Sequence, residues 1–294
     1  MDAANPSAIP ADALRAPLHI GAVGLAVRDL PRLTAYYRDL LGLTVQAQTA
    51  QNAKLGAGGV ALLELTRRPG ALPDDAREAG LYHTAFVMPT RADLARWILH
   101  IAKNPMPIAG ASDHDVSEAI YLDDPEGNGV EVYHDRPREM WRRDGGTIFQ
   151  KTDPLDIDAI IREIDPGTAA YPAAPEGLRI GHIHLRVGNI ERAEAFYCGA
   201  LGLDVTRRRH GATFMSTGGY HHHVAVNTWH SSGARPRDAR RAGLDWFTME
   251  INERATLDRL RERLTAAGVA IDAIPGGFAA SDPGGTRVRL TLAP

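Results

Sequence analysis

Hydrophobic and polar positions follow the same order twice along this chain. The alternation typical of a strand covers residues 19–27 and again 179–187. After the first strand, apolar residues recur at the spacing of an amphipathic helix, and they are Leu33, Tyr36, Tyr37, Leu40 and Leu41. Gly42 and Gly202 then stand where a helix end favours a left-handed conformation. Further strands predicted over 43–49, 53–56 and 60–66 complete a unit of one strand, one helix and three strands.

An internal repeat accounts for this order. A shift of 160 positions places Ile20-Gly21 on Ile180-Gly181 and Leu41-Gly42-Leu43 on Leu201-Gly202-Leu203, without a gap over about 25 residues. A weaker pair begins at 79–81 and 242–244, and each continues as a strand, a helix, an Asp-Pro-x-Gly turn and a strand. The chain therefore divides into four βαβββ modules, which cover residues 17–68, 78–136, 177–230 and 241–294.

Four modules of this kind predict an α+β protein. The sheet of one module has a face to bury, so modules must pair to close a cavity. Along the chain, we predict a flexible N-terminus over 1–16, a first domain over 17–136 and a second domain over 177–294. A connector, residues 137–176 with a short helix over 156–164, joins the two domains.

Composition narrows the class of protein. The 294 residues are 44% hydrophobic and 23% charged, which is typical of a globular protein. The formal net charge of −3 leaves no basic excess for binding nucleic acid. A single cysteine, Cys198, allows no intramolecular disulfide, and the sequence shows neither a signal-peptide pattern nor an apolar run of membrane-spanning length. We expect a cytoplasmic protein without nucleic-acid or membrane partners.

Several motifs carry a family resemblance. They are Gly80-Leu81-Tyr82-His83, the run from His114 through Asp124-Pro125-Glu126-Gly127 to Glu131, Asp135-Arg136-Pro137, Gly181-His182-Ile183-His184 and Gly219-Tyr220-His221-His222-His223. With the four modules, these motifs make the chain after residue 16 similar to the vicinal oxygen chelate superfamily. That superfamily includes glyoxalase I, fosfomycin-resistance proteins and extradiol dioxygenases, and the motifs most resemble the CatE-like bacterial catechol 2,3-dioxygenases. The resemblance implies two barrels, each closed by two modules, and a bound divalent metal.

The superfamily takes metal ligands from two strands of a module. The first-strand positions here are Ala22, His83, His182 and Trp246, and the last-strand positions are about Glu64, Glu131, a residue near Ala225, and Arg289. The resemblance therefore implies His83, His182 and Glu131 as ligands, because two histidines and one carboxylate form the facial triad of non-haem Fe(II) oxygenases. Fe(II) is the expected cofactor, with Mn(II) as its competitor. His184 replaces His182 if the strand register differs by two.

The proposed ligand set depends on how the modules pair. Pairing module 2 with 3, and 1 with 4, would bring His83, His182 and Glu131 into one cavity. Sequential pairing would separate His182 from them and leave His83, Glu131 and Glu64 together, which is a more glyoxalase-like set. We favour the first arrangement, because one cavity then holds the complete set.

Further residues are implied around the metal. Tyr121 precedes Glu131 by ten positions, and extradiol enzymes have a tyrosine at this offset that binds a substrate oxygen. His114 resembles a histidine that supports this site in the same group. An acid–base histidine is expected from the triple His221-His222-His223, with His223 as the choice and His222 as the alternative.

The resemblance implies extradiol cleavage of catechol, or of a substituted catechol, by O₂. The product would be a 2-hydroxymuconic semialdehyde, and a homodimer is compatible with the fold. Two other classes remain. One is a non-redox metalloenzyme of the same fold, such as a glyoxalase-like isomerase or a conjugating transferase. The other is a metal-free drug-binding protein, against which the presence of a ligand set argues.

Overall fold

The computed structural model describes residues 12–104, 106–165, 167 and 169–293. Residues 1–11 of the predicted flexible N-terminus lie outside this range. The described part of that segment begins with a 3-10 helix, Asp12–Arg15, in which Ala13 is fully buried. None of the helices in the described ranges has the length and apolar character that crossing a membrane requires.

The strands and helices follow the order that the repeat predicts. The first half contains β1 (Leu18–Val27), α1 (Leu30–Leu41), β2 (Thr44–Gln48), β3 (Asn52–Ala57), β4 (Val60–Arg67), β5 (Gly80–Val87), α2 (Arg91–Lys103), β6 (Ile108–Asp113), β7 (Ser117–Asp123) and β8 (Gly129–Asp135). The connector contains β9 (Arg143–Asp144), β10 (Thr147–Ile148) and α3 (Ile157–Ile161). The second half contains β11 (Arg179–Arg186), α4 (Ile190–Glu194), β12 (Asp204–Arg209), β13 (Ala212–Ser216), β14 (Val224–Asn227), β15 (Gly243–Ile251), α5 (Arg254–Ala266), β16 (Ile271–Ile274), β17 (Gly277–Ser281) and β18 (Arg287–Leu292).

Helix α1 begins and ends at residues whose chemistry suits a helix end. Asp29 caps α1, because its carboxylate accepts a hydrogen bond from Arg32 N at 3.1 Å. Gly42 ends the helix with a φ of 69°, the left-handed conformation that glycine adopts without strain. In the third module, α4 continues as a π-helix over Ala195–Ala200, which is a wider turn than the repeat predicts.

Two eight-stranded sheets form the protein. The first sheet has the strand order β16-β17-β18-β15-β1-β4-β3-β2, so it combines modules 1 and 4. The second has the order β12-β13-β14-β11-β5-β8-β7-β6 and combines modules 2 and 3. The predicted α+β class and the pairing of module 2 with 3 are thereby confirmed. The division into domains over 17–136 and 177–294 stays a prediction. Each sheet takes one module from each of these halves.

The two Asp-Pro-x-Gly turns connect modules through tyrosines of the repeated helix. Tyr37 of α1 donates its hydroxyl to Asp124 at 2.8 Å, and Tyr197 donates to Asp282 at the same distance. All four side chains are buried. Trp97 of α2 also donates its indole N–H to Leu40 O at 2.8 Å, which joins the first two helices. These contacts hold the helices against the turns and against each other. One face of the second sheet lines a cavity.

Candidate metal centre

A row of four residues crosses the second sheet. Tyr121 on β7 lies opposite Glu131 on β8, Glu131 opposite Ala85 on β5, and Ala85 opposite His182 on β11. His83 shares this face with Ala85, because side chains two residues apart on a strand point the same way. The small side chain of Ala85 leaves room for its larger neighbours to converge above it. The register thus brings together three of the predicted ligands.

The converging atoms have the spacing of metal ligands. His83 Nε2 lies 3.0 Å from Glu131 Oε2, and His182 Nε2 lies 3.1 Å from the same oxygen. Two ligands at right angles on one ion, each about 2.1 Å from it, lie about 3 Å apart. All three side chains are buried. The set is therefore compact enough to hold a single cation.

The protonation states and unsatisfied atoms of the set also fit a cation. His83 Nε2 is buried without an aligned hydrogen-bond partner. Burial lowers the pKa of His182 to about 4. Burial by itself would raise the pKa of Glu131, but the imidazoles of His182 and His83 outweigh it and hold that pKa well below its usual range. A neutral imidazole and a charged carboxylate are the forms that bind metal.

The rival ligand His184 is engaged elsewhere. It lies opposite His83 across the β5–β11 pair, and Asn227 Nδ2 lies 3.0 Å from its Nε2. His184 lines the cavity but lies outside the group of converging ligand atoms formed by His83, Glu131 and His182. The register therefore favours His182 over His184.

In the first sheet, an indole and a guanidinium stand at the corresponding positions. The Trp246 indole occupies the space that a Cβ atom at Gly24 would need. The Arg289 guanidinium lies 3.5 Å from the centre of that ring. Glu64 belongs to β4 of this sheet, next to β1. It therefore cannot join His83 and Glu131, as the alternative glyoxalase-like set would need.

Tyr121 and His114 form a hydrogen-bonded pair beside the metal ligands. Tyr121 Oη lies 2.6 Å from His114 Nε2, and His114 Nδ1 lies 2.7 Å from the carbonyl oxygen of Lys151. A carbonyl only accepts, so His114 carries a proton on Nδ1 and its Nε2 accepts from the tyrosine. Burial, followed by the charge of Glu131, raises the pKa of Tyr121 well above its usual range. Both side chains line the cavity.

The three consecutive histidines have different surroundings. His222 lines the cavity, and the centre of its ring lies 4.0 Å from that of His182. His223 is buried against the N-terminal 3-10 helix. Its Nε2 lies 2.9 Å from Ala13 O, and its Nδ1 accepts from Thr217 N at 3.3 Å. His221 is buried behind His222. The geometry thus favours His222, the alternative in the sequence analysis, over His223 as the histidine that faces the cavity.

The cavity has a volume of about 460 Å³, within the range of small-molecule sites. Sequence reasoning missed several of its lining residues. Gln150 and Thr152 come from the connector, and Arg209 comes from the end of β12. Tyr82 and Trp229 are 37% and 44% exposed, with ring centres 5.3 Å apart, so they form an aromatic rim. The available sequence signal for this rim was Tyr82, which belongs to the Gly80-Leu81-Tyr82-His83 motif.

The family model of the Glyoxalase/Bleomycin resistance protein/Dioxygenase superfamily matches residues 19–132 and 179–290. The chain belongs to this superfamily. The matched segments correspond to the two halves of the repeat, which explains why modules 1 and 3 align at a constant shift. Membership also accounts for the two sheets, each built from two modules.

Individual relatives agree with this assignment. The catechol-2,3-dioxygenase of Bacillus subtilis (strain 168) is 37% identical over 270 residues, which are 90% of this chain and 94% of that protein. A solved structure of a putative dioxygenase from B. subtilis subsp. subtilis str. 168 has a TM-score of 0.61 at 14% identity, covering 94% of this chain and 85% of that one. Glyoxalase I from Zea mays has a TM-score of 0.54 at 18% identity, covering 95% and 94%. The two structural likenesses show a shared fold.

Proposed function

We propose that this superfamily member is an extradiol ring-cleaving dioxygenase that acts on catechol or a substituted catechol. The observation that carries the proposal is the set of His83, His182 and Glu131 at a small-molecule cavity, in which both histidine Nε2 atoms lie within 3.1 Å of Glu131 Oε2. The similarity to the B. subtilis catechol-2,3-dioxygenase over most of the chain supports it. The reaction adds both atoms of O₂ and breaks the ring bond beside the diol, which gives a 2-hydroxymuconic semialdehyde.

The three ligands fit Fe(II), with Mn(II) as the competing ion. When bound, a ferrous ion in a facial triad supplies open positions for diol and dioxygen and the electron transfer between them. The protein supplies the geometry and the burial of the site. Its three ligand residues are at most 6% exposed, so water has little access to them.

Tyr121 and His114 are suited to take a proton from the substrate. Tyr121 donates a hydrogen bond to His114 Nε2, and the lone pairs on its oxygen can accept a hydrogen bond from a catechol hydroxyl. A proton that leaves the substrate can then pass through Tyr121 to His114. The carbonyl of Lys151 holds the His114 ring in the orientation that this transfer requires.

His222 is the proposed acid–base group on the other side of the ligands. Its ring packs against that of His182 at an interplanar angle of 47°, and burial lowers the pKa of His222 well below the usual range. The imidazole is therefore neutral at pH 7 and able to accept a proton before returning it to an oxygen of the ring-opening product.

Oxygen uptake by the Fe(II)-loaded protein with catechol tests the proposal. We expect uptake of one O₂ per catechol, together with a yellow, conjugated ring-fission product. The variants His83→Ala, His182→Ala and Glu131→Ala should each lose this activity. Glu64→Ala is the matched control, since it removes a glutamate at the corresponding strand position of the first sheet.

The control should remain active because Glu64 does not reach the cavity. Loss of activity in Glu64→Ala would contradict the assigned ligand set, whereas no oxygen uptake by metal-loaded wild-type protein with any catechol would favour a non-redox metalloenzyme. Parallel loading with Fe(II) and Mn(II) identifies the metal that supports turnover. Light scattering after size-exclusion chromatography tests the proposed homodimer.

A further inference from the structure

Four polar side chains form a continuous hydrogen-bonded chain behind His222. Its Nδ1 lies 2.7 Å from His221 Nδ1, and His221 Nε2 lies 2.8 Å from Asp135 Oδ1. Tyr220 donates its hydroxyl to Asp135 Oδ2 at 2.8 Å, and Tyr133 Oη lies 2.7 Å from Tyr220 Oη. The functions assigned above to the cavity use only the His222 end of this chain.

The directions of these hydrogen bonds follow from the acceptor at the centre. A carboxylate only accepts, so His221 donates its Nε2 proton to Asp135. A neutral imidazole has one such proton, and Nδ1 of His221 therefore accepts. The partner nitrogen, Nδ1 of His222, must then carry the proton. This leaves Nε2 of His222 as an unprotonated nitrogen on the opposite edge of the ring.

The surroundings of the chain keep these partners in place. His221, Tyr220 and Tyr133 are completely buried, whereas His222 keeps 8% exposure toward the cavity that it lines. The one hydroxyl hydrogen of Tyr220 is donated to Asp135, so Tyr133 must be the donor between the two phenols. At Gly181 a Cβ atom would lie 1.8 Å from Tyr133 Oη, so only glycine leaves room for that hydroxyl.

The geometry points to Asp135 and His221 as positioning residues that fix the tautomer of His222. Asp135 orients His221, and His221 holds His222 with its proton on Nδ1 and its free Nε2 available to the cavity. Neither positioning residue touches the substrate. Their effect on catalysis rests on the proposed dioxygenase function, whereas the tautomer itself does not.

Nitrogen NMR of histidine side chains tests the tautomer directly. The full chain is labelled with ¹⁵N-histidine and studied with and without Zn(II), a diamagnetic probe for the triad. His222→Gln identifies the signals of His222 by their loss. We expect a protonated Nδ1 and an unprotonated Nε2 at His222. In His221→Phe, which keeps a ring beside Tyr220, the proton should move to Nε2 in a substantial fraction of molecules.

Two further variants make the test specific. Asp135→Leu removes the acceptor for His221 and should produce the same tautomer change, so the proposal remains testable if one variant fails to fold. His100→Phe is the matched control, because His100 lies on α2 and binds the carbonyl of Asp39. It should leave the His222 signals unchanged.

Kinetics then separate positioning from a general structural role. In the Fe(II)-loaded enzyme, His221→Phe and Asp135→Leu should lower kcat about 10- to 100-fold, the usual effect of removing a residue that orients a catalytic group. KM for catechol and iron content should change less than about twofold, because the substrate and metal contacts remain.

Protonation of His222 on Nε2 in the wild-type protein would overturn the inference, because His221 would then have to donate from both of its ring nitrogens. An unchanged tautomer in both variants would overturn it as well. If the protein has no dioxygenase activity, the NMR result still decides the tautomer, so the two failures are distinguishable.

Discussion

Replacement of His223 by glutamine should change how stability depends on pH. His223 is completely buried, and its Nε2 lies 2.9 Å from the carbonyl of Ala13 in the N-terminal 3-10 helix. Burial lowers the pKa of His223 to about 3, so the folded protein keeps this ring neutral in mild acid. Glutamine can still donate to Ala13 O but does not titrate.

The expected magnitude follows from the difference between folded and unfolded states. An unfolded histidine has a pKa of about 6.5, so below that pH the unfolded chain binds a proton that folded His223 refuses. Stability is therefore complete above about pH 7 and falls as the pH decreases. Between pH 7 and pH 5, this one group lowers the free energy of unfolding by about 2 kcal/mol.

Urea unfolding of wild type and His223→Gln at pH 7 and pH 5 measures this contribution. Other buried histidines titrate in both proteins, so the difference between the two pH-dependent losses isolates His223. We expect the wild type to lose about 2 kcal/mol more than the variant over this interval. Equal losses would refute the reasoning, because they would mean that His223 is already charged or exposed when folded.

The same variant separates the two candidate acid–base histidines. His222 lines the cavity and His223 does not. His222→Gln should therefore lower kcat for catechol by about 100-fold or more, since a positioned acid–base group contributes at least that much. His223→Gln should retain turnover at pH 7. The reverse result would restore His223 as the acid–base residue.

Three other substitutions have distinct expected outcomes. Ala85→Leu fills the space between Glu131 and His182, so calorimetric titration should show no metal binding, while thermal unfolding shows a cost of about 1–3 kcal/mol; unchanged metal stoichiometry would contradict this. Tyr121→Phe should reduce kcat for catechol about 10- to 100-fold at unchanged metal content, because the variant lacks the hydroxyl that accepts from the substrate and passes a proton to His114, and a hydrogen bond to a charged group contributes about 1.5–3 kcal/mol; wild-type kcat would show that its hydroxyl has no part in turnover. Trp229→Ala should raise KM about 2- to 10-fold for catechols with bulky ring substituents, from the loss of an aromatic contact, and leave KM for catechol itself nearly unchanged; an equal rise for both would place Trp229 against the diol ring.

The candidate ligands could be predicted because the family resemblance assigns ligand positions to two strands of a module, and the repeat gives the equivalent positions in each module. His83 and Glu131 lie within one module, on β5 and β8, which are neighbouring strands. Their proximity therefore depends on local hydrogen bonding that the module pattern already implies. Tyr121 is similar, since a single turn joins β7 to β8 and sets it opposite Glu131. The sequence was sufficient for this part of the site.

The acid–base histidine could not be assigned in this way. The alternation of side chains applies only within a strand, and β14 begins at Val224, after His221, His222 and His223. Their directions are set by long-range partners instead. Asp135 lies 86 positions from His221, and Ala13 lies 210 positions from His223. Nothing in the local pattern specifies such contacts.

By itself, the sequence determined the four modules and their turns, because these depend on local periodicity, and the family resemblance of its motifs implied which residues bind a metal. Only the tertiary structure decided that β5 joins β11, which adds His182 to His83 and Glu131. Either pairing of similar modules would bury one face of each sheet, so the hydrophobic pattern cannot distinguish them. The choice lies in edge-to-edge hydrogen bonds and side-chain packing between modules about 100 residues apart, and these exist only in the folded chain.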